Sequence, residues 1–144
     1  MTTEERFREK SAHYLHCFNG ECPLHQTCLH WLVSQHTTRT DIVTTCVNPM
    51  NSGVKAGNCE MYRENKSENY ARGMMHFFDM MTGKQERAIR RRLICTYSRK
   101  TFYEYRNGVR LINPTIQRNI ARICQEEGYT DAPHYDGWEV DFAW

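Results

Sequence analysis

Cysteine is the residue type whose spacing in this chain most clearly indicates chemistry. Five of the seven cysteines fall within the first sixty residues, separated by four, five, seventeen and twelve intervening residues: Cys17, Cys22, Cys28, Cys46 and Cys59. Tetrahedral zinc in structural sites is held by four such soft donors. The spacing therefore predicts a metal ion bound by cysteines, with zinc as the first expectation.

Three alternatives to a four-cysteine zinc site stay open. Four thiolates also hold iron–sulfur clusters, and Cys22-Pro23 resembles the Cys-Pro sequence found at cluster ligands. A histidine close in sequence, His16, His25 or His30, could replace one cysteine, and the thiols could also bind no metal. A catalytic zinc needs an open coordination position and usually histidine or carboxylate ligands. The sequence therefore favours a structural metal.

A reducing, cytoplasmic setting is expected for these thiols. Residues 1–6 lack the basic segment and apolar stretch of a secretory signal. No apolar run approaches the roughly 18 residues of a membrane-spanning helix. In a reducing compartment an odd number of cysteines indicates ligands and buried thiols rather than disulfides. Cys95 and Cys124 are accordingly expected in the helical core.

The elements that must position the cysteines are short. Residues 1–16 are predicted to form a short helix or a loose arm. Apolar spacing of Leu24, Cys28, Trp31 and Leu32 predicts a helix over 23–36. The β-branched run 42–47 predicts a strand in which Cys46 would be a buried thiol, and 58–63 a second strand after the loop 48–58.

Residues 67–128 are predicted to form four helices. The first carries an apolar stripe over 70–81, and the second, 84–95, has Ala88, Ile89 and Leu93 inward. Ser98 is the expected N-cap of the third, which ends at Asn107-Gly108. Asn113 and Pro114 begin the fourth, which Gly128 ends. The inward side chains of the last two are Phe102, Tyr105, Ile116, Ile120, Ile123 and Cys124.

The third and fourth helices resemble the helix-turn-helix of the Cro and phage-repressor class. The resemblance is carried by Ser98-Arg-Lys-Thr-Phe-Tyr-Glu-Tyr-Arg-Asn-Gly108, followed by Pro114, Ile120 and Ala121. It implies that the helix after Ser98 is a recognition helix. Arg99, Lys100, Tyr103 and Arg106 would point outward from it, and the first three would meet base edges.

Over nearly its whole length the chain resembles an uncharacterised family of small, cysteine-rich bacterial proteins. The motifs are Cys17-Phe-Asn-Gly-Glu-Cys22-Pro, Cys28-Leu, Asn58-Cys-Glu-Met-Tyr-Arg63, Tyr97–Gly108 and Glu127-Gly-Tyr129 with an acidic aromatic end. Such a family implies no activity, but it places cysteines at Cys17, Cys22, Cys28 and Cys59. These four are the preferred ligands, and Cys46 is held back.

Charge is unevenly distributed along the chain. Residues 82–124 carry eleven Lys/Arg against Glu86 and Glu104, a local balance of +9. Residues 126–144 carry six acidic residues and no Lys or Arg. This asymmetry indicates a partner-binding surface, and Arg90, Arg91, Arg92, Arg110 and Arg118 would meet phosphates. The aromatic residues of the acidic end would either dock a protein partner or fold back over the core.

The sequence thus predicts a mainly α fold with a small β element. A cysteine-rich metal-binding module, 1–66, would pack on a four-helix, helix-turn-helix-like unit, 67–128, followed by an acidic aromatic tail, 129–144. The expected function is regulatory nucleic-acid binding, DNA rather than RNA, by a cytoplasmic non-enzyme that could form a homodimer. The alternatives are a protein-interaction adaptor and an iron–sulfur redox or iron sensor.

Overall fold

The computed structural model of the protein describes residues 1–37 and 41–144. The chain divides into two compact units: unit 1 is Met1–Lys66 with Phe142–Trp144, and unit 2 is Ser67–Asp141. The mainly α fold with a small β element is confirmed. The described α-helices and strands are α1 Thr3–Lys10, α2 Leu29–Ser34, α3 Ser52–Lys55, β1 Ser67–Arg72, α4 Gly83–Tyr97, α5 Arg99–Arg106, α6 Pro114–Glu126 and β2 Gly137–Phe142. No described helix is long and apolar enough to cross a membrane.

Unit 1 has a small apolar core between α1 and α2. Thr2 and Glu5 form a reciprocal capping box that begins α1. The buried side chains of the core are Phe7, Leu29 and Val33, with Phe142 and Trp144 from the end of the chain packed against them. Aromatic stacking of Phe7 on Phe142, with ring centroids 5.2 Å apart, closes the cluster.

The helix predicted over 23–36 is broken at Cys28. A short 3₁₀-helix spans His25–Thr27 and α2 follows, because Cys28 has extended backbone and forms an isolated antiparallel bridge with Glu64. The break rotates the buried face. The side chains it buries are Leu29, His30, Val33 and Ser34, whereas the predicted stripe residue Leu24 is exposed.

Both strands predicted in unit 1 are wrong. Ile42 and Val43 are 98% and 86% exposed, and the only pairing described over 42–47 is a single bridge between Cys46 and His16. Cys46 is therefore exposed and not the buried thiol that was expected. β-branched residues favour a strand only where a partner strand and a buried face exist. Residues 59–62 form turns, and the predicted loop 48–58 contains α3.

The second to fourth predicted helices of unit 2 are confirmed as α4, α5 and α6. Their predicted inward residues Ile89, Leu93, Phe102, Tyr105, Ile120, Ile123 and Cys124 are buried in one core. The Ser98 hydroxyl accepts a hydrogen bond from the Thr101 amide, and the Asn113 side chain accepts one from the Ile116 amide. Gly108 and Gly128 have φ of 71° and 88°, the left-handed conformation expected after a helix.

The helix predicted over 70–81 is wrong. Residues up to Arg72 form β1 instead, and Gly73, with φ of 81°, turns the chain. The Asp136 carboxylate then accepts hydrogen bonds from the amides of Met75 and His76, which fixes a turn in place of a helix. Tyr70, Met74, Phe77 and Phe78 are buried nonetheless. The apolar pattern therefore predicted correctly which side chains are buried, but not the secondary structure that carries them.

The acidic, aromatic end of the chain folds back in part. Tyr129 and Tyr135 are buried in the core of unit 2, whereas Trp138 is 60% exposed. β2 pairs with β1. The Asp136 amide donates to the Gly73 carbonyl beyond the end of β1, and the Ala143 amide donates to the Lys66 carbonyl before its start, so the two strands run antiparallel. The other expected buried thiol, Cys95, is exposed, since its position on α4 faces away from Ile89 and Leu93.

Candidate metal centre and basic surface

The four preferred cysteines of unit 1 line one small cavity. Cys17, Cys22, Cys28 and Cys59 surround a space of about 20 Å³, which has room for roughly one water-sized sphere. Cys46 does not line this cavity; it lines a neighbouring open cleft, which shares Val54 and Cys59 with the cavity. The structure therefore brings together the four residues that the sequence singled out and leaves the fifth apart.

Backbone hydrogen bonds hold the segments of Cys17, Cys28 and Cys59 together. The Cys17 amide donates to the His30 carbonyl at 3.0 Å, which ties the first segment to α2. The Leu29 amide donates to the Arg63 carbonyl at 2.7 Å, next to the bridge between Cys28 and Glu64. The segment that follows Cys59 is thus paired alongside Cys28.

A tight turn after α3 delivers Cys59 to the same place. The Asn51 side chain caps α3 by accepting hydrogen bonds from the amides of Gly53 and Val54. Gly57 has φ of 73°, and the Asn58 amide then donates to the Gly53 carbonyl at 2.9 Å. A side chain at position 57 would be strained in this conformation, so glycine is required for the turn that precedes Cys59.

The thiols are close enough to influence one another electrostatically. Burial raises the pKa of the Cys17 thiol, a hydrogen bond from the Asn19 backbone lowers it, and the neighbouring Cys28, Cys59 and Cys22 raise it. Several thiolates in one site repel each other unless a cation lies among them. As the side chains stand in the described ranges, no group of three or more His, Cys, Asp or Glu has the geometry of a formed metal site. The four thiols therefore line one cavity without yet having the geometry of a metal site.

The rest of the cavity wall is apolar surface and one histidine ring, and the sequence had not assigned Val54 or Tyr62 to it. Leu24, Trp31, Val54 and Tyr62 provide apolar surface, and His25 provides a ring. The His25 Nδ1 lies 2.6 Å from the Cys22 carbonyl, and its ring packs edge-on against Trp31 with centroids 4.6 Å apart. The signal available in the sequence was their position between or directly beside the cysteines.

The other two histidines considered as ligands lie outside the cavity lining. His16 and His30 are buried, and the His30 Nδ1 bonds the Leu15 carbonyl at 2.7 Å. Burial lowers the pKa of His30, so its neutral form is favoured. Of the three histidine candidates, His25 alone lines the cavity that the described residues form.

The basic block of unit 2 separates into paired and unpaired side chains. Arg90 bonds Glu86 at 2.6 Å, Arg110 bonds Glu104 at 2.7 Å, and Arg92 bonds both Glu126 and Glu127. Lys100 stands 3.9 Å from Glu104 with its side chain 86% exposed. Three of the predicted phosphate contacts are thus already neutralised within the protein.

Four exposed cations remain on α4 and at the start of α5, and we call them the basic surface. Lys84, Arg87 and Arg91 share one side of α4, because their spacing of three and four residues matches the helical repeat. Arg99 follows in the first turn of α5, with its guanidinium 5.7 Å from the centre of the Tyr103 ring. None of the four forms an ion pair with a carboxylate among residues that the structure describes. Lys84 and Arg87 were missed by sequence reasoning, although their spacing from Arg91 could have indicated them.

The remaining predicted contacts are distributed over α5 and α6. Arg106 lies on the same side of α5 as Arg99 and Tyr103, but Arg106 and Tyr103 are half-buried, and Tyr103 packs against the core of unit 2 instead of pointing outward. Arg118 on α6 is exposed and donates to the Thr115 hydroxyl at 3.0 Å. All the predicted nucleic-acid contacts therefore belong to unit 2.

The connection between α4 and α5 is a single residue. Thr96 and Tyr97 lie within α4, and Ser98 alone separates the helices, with φ of 78° and ψ of 157°. That region of backbone conformation is adopted almost only by glycine. A helix-turn-helix has a turn of roughly three or four residues, so this junction is tighter than the motif that the sequence resembles.

One protein-family model, described as a family of unknown function (DUF6078), matches residues 1–144. The chain belongs to this family. No curated protein and no solved structure matches the chain. The match confirms the expected membership of a family of unknown function, over the whole chain, and supplies no activity. Function must therefore be argued from the two sites themselves.

Proposed function

We propose that the protein binds nucleic acid, with duplex DNA as its partner, through the basic surface of unit 2. Unit 1 is then its metal-stabilised module, and gene regulation is the expected role. The observation that carries the proposal is the separation of charges on α4. Arg90 and Arg92 are neutralised by carboxylates, whereas Lys84, Arg87 and Arg91 are exposed on the outer side.

Unpaired exposed cations suit a polyanion better than paired ones do. Phosphate contacts release counterions from DNA, and each contact contributes to affinity in a salt-dependent way. A paired arginine must first break its ion pair, so a phosphate contact from Arg90, Arg92 or Arg110 should add less to the affinity for DNA. The basic surface is therefore proposed to meet the DNA backbone, with Arg118 as a further phosphate contact.

Base reading is proposed for the side of α5 that carries the exposed Arg99. Arg99, Tyr103 and Arg106 are spaced four and three residues apart, which places them on one side of the helix. Arginine is the commonest side chain to pair with guanine in the major groove. The capped N-terminus of α5 fixes the direction of Arg99 and Lys100, since Ser98 holds the first turn.

Fluorescence anisotropy with labelled random duplex DNA tests the proposal across a series of salt concentrations. We expect the logarithm of the binding constant to fall linearly with the logarithm of salt concentration. Arg99→Ala should reduce discrimination among DNA sequences, whereas Lys55→Ala, an exposed charge of unit 1, should change neither quantity. Salt-independent binding, or no binding, would rule out this interface.

Single-stranded and duplex RNA of the same length form the second arm of the experiment. If either RNA binds more tightly than duplex DNA at equal salt, RNA and not DNA is the partner. If no nucleic acid binds while the protein captures a defined protein partner through the same arginines, the adaptor function is favoured and the nucleic-acid proposal is wrong.

A further inference from the structure

We infer that Cys17, Cys22, Cys28 and Cys59 bind one zinc ion in a closed tetrahedral site on which the fold of unit 1 depends. The inference rests on the metal-stabilised module of the proposed function and adds to it the ligands, the ion and the stoichiometry. It does not depend on DNA binding. Two properties of the cavity and one property of unit 1 support it.

The first property is size. A cavity of about 20 Å³ suits a single ion with four surrounding sulfurs. An iron–sulfur cluster adds two or four irons and their bridging sulfides within the same ring of cysteines, so it needs the four sulfurs to stand farther apart than a single ion does. The cavity therefore favours zinc over the cluster that four cysteines could otherwise hold.

The second property is charge. The other residues that line the cavity are Asn19, Leu24, His25, Trp31, Val54 and Tyr62. This lining contains no Lys or Arg, so no side-chain ammonium or guanidinium offsets thiolates there. Zinc binds thiolates and releases their protons. A divalent cation among the four sulfurs would supply the positive charge that the lining lacks.

The third property is the shortage of apolar side chains in unit 1. Of the nineteen buried hydrophobic residues in the described ranges, four belong to unit 1: Phe7, Leu29, Val33 and Val54. Val54 is the only one from 41–66, the segment that contains Cys59. Small modules with so little core are commonly stabilised by a metal or by disulfides. No disulfide links the seven cysteines, so a bound metal is the stabilising element that these residues could supply.

The ligand set also indicates what the ion does. Four cysteines complete a tetrahedron and leave no position for water or substrate, which is the arrangement of structural zinc. Trp31 and Tyr62 cover the cavity with aromatic surface, and the His25 ring orients the Cys22 carbonyl. The ion therefore links the segments of Cys17, Cys22, Cys28 and Cys59 and performs no reaction.

Metal analysis and cobalt titration of the full-length chain test the inference directly. We expect one zinc per chain in protein purified under reducing conditions. After zinc removal, Co²⁺ should bind at one per chain with the sulfur-to-metal charge-transfer absorption and intense visible bands of tetrahedral thiolate coordination. No zinc and no cobalt binding, or brown protein containing iron and sulfide, would overturn the inference.

Cysteine variants identify the ligands. Cys22→Ser should lose zinc, whereas Cys46→Ser, an exposed thiol outside the cavity, should retain one zinc per chain. Equal zinc loss in both variants would overturn the assignment. If Cys22→Ser is insoluble, the wild-type cobalt titration and the Cys46→Ser stoichiometry still decide it. These measurements use no DNA, so a failed zinc site and a failed DNA interface are distinguishable.

Discussion

Gly57 lies against Pro23 so closely that a Cβ at position 57 would stand 2.8 Å from the proline Cγ. The two residues belong to different cysteine segments, since Pro23 follows Cys22 and Gly57 precedes Cys59. The contact therefore brings the last cysteine to the side of the cavity where the second one lies. Only glycine permits both this approach and the φ of 73° at position 57.

Gly57→Ala should accordingly weaken the metal centre without removing a ligand. The methyl group must displace Pro23 and strain the backbone, which we expect to lower zinc affinity at least about tenfold, as roughly 1.4 kcal/mol or more of strain would. Competition with a chromophoric chelator measures the affinity. Gly20→Ala is the matched control, because a Cβ there meets nothing nearer than 3.9 Å. Unchanged affinity in Gly57→Ala would show that this contact does not position Cys59.

The seven cysteines should react with an alkylating agent in three groups. We expect Cys46 and Cys95, which are exposed, to be modified first in the zinc-bound protein. The four proposed ligands should react only after a chelator removes the ion, since coordination occupies the nucleophilic sulfur. Burial raises the pKa of the Cys124 thiol to about 11, so it should react last, when unit 2 unfolds.

Peptide mapping by mass spectrometry distinguishes the groups, with reaction at neutral pH before and after chelation. The rate at Cys124 should rise on unfolding because a raised pKa leaves little thiolate in the native protein. If Cys17, Cys22, Cys28 and Cys59 react as fast as Cys46 in zinc-containing buffer, they are not ligands.

The sequence was most informative where local chemistry decides structure. Ser98, Asn113, Pro114 and the two glycines that end helices set the bounds of α5 and α6 through hydrogen bonds within a few residues. The helices of unit 2 were predicted for the same reason, except over 70–81. There the structure depends on long-range hydrogen bonds from the amides of Met75 and His76 to the Asp136 carboxylate. The sequence of 70–81 alone gives no sign of these bonds.

Unit 1 was harder to predict because its elements depend on distant pairings. Ile42 and Val43 have strand propensity but are exposed, and Cys28 leaves the helix to pair with Glu64. The gathering of Cys17, Cys22, Cys28 and Cys59 was nevertheless expected from residue type together with the family resemblance. The apolar and aromatic wall, including Trp31 and Tyr62, was not, since side chains between ligands carry no signal of which way they face.

Ser98 should give opposite results when it is replaced by glycine and by alanine. Glycine relieves the strain of φ 78° and ψ 157° at a capping cost of a few tenths of a kcal/mol, so Ser98→Gly should raise the free energy of unfolding by about 1 kcal/mol. Ser98→Ala retains the strain and loses the bond to the Thr101 amide, and should lower it by about 1 kcal/mol. Urea denaturation measures both. A lower stability for Ser98→Gly would mean that the backbone at position 98 carries no relievable strain.

Glu126 should make the stability of unit 2 depend on pH in the acid range. Hydrogen bonds from Arg92 and Arg122 hold the pKa of Glu126 below its usual range. A lowered folded-state pKa contributes stability above the unfolded pKa, about 4.3, that is lost as pH falls through the folded value. The melting temperature of wild type should therefore exceed that of Glu126→Gln at neutral pH, and the difference should shrink on acidification.

High salt should also reduce that difference, because the carboxylate is exposed and its charges are screened. Glu9→Gln, an exposed carboxylate of α1, controls for the general effect of removing a negative charge. A melting-temperature difference between wild type and Glu126→Gln that stays constant from neutral to acid pH would contradict the assignment.

Arg91 and Arg90 are adjacent on α4 and should differ in their effect on DNA binding. Arg91 is exposed, whereas Arg90 bonds Glu86 at 2.6 Å and lies over the Phe78 ring at 5.1 Å. Arg91→Ala should reduce the salt slope of DNA binding by about one unit. Arg90→Ala should leave the slope nearly unchanged and lower stability by roughly 0.3–0.5 kcal/mol, the range of such helical pairs.

Anisotropy titrations at several salt concentrations, with thermal melts of each variant, separate the two effects. The pair is informative because both variants remove one arginine from the same helix, so total charge is matched. Equal slopes for the two variants, both reduced, would show that the ion pair with Glu86 opens on binding and that neutralised arginines belong to the interface. Two unchanged slopes would place the DNA contact elsewhere than on α4.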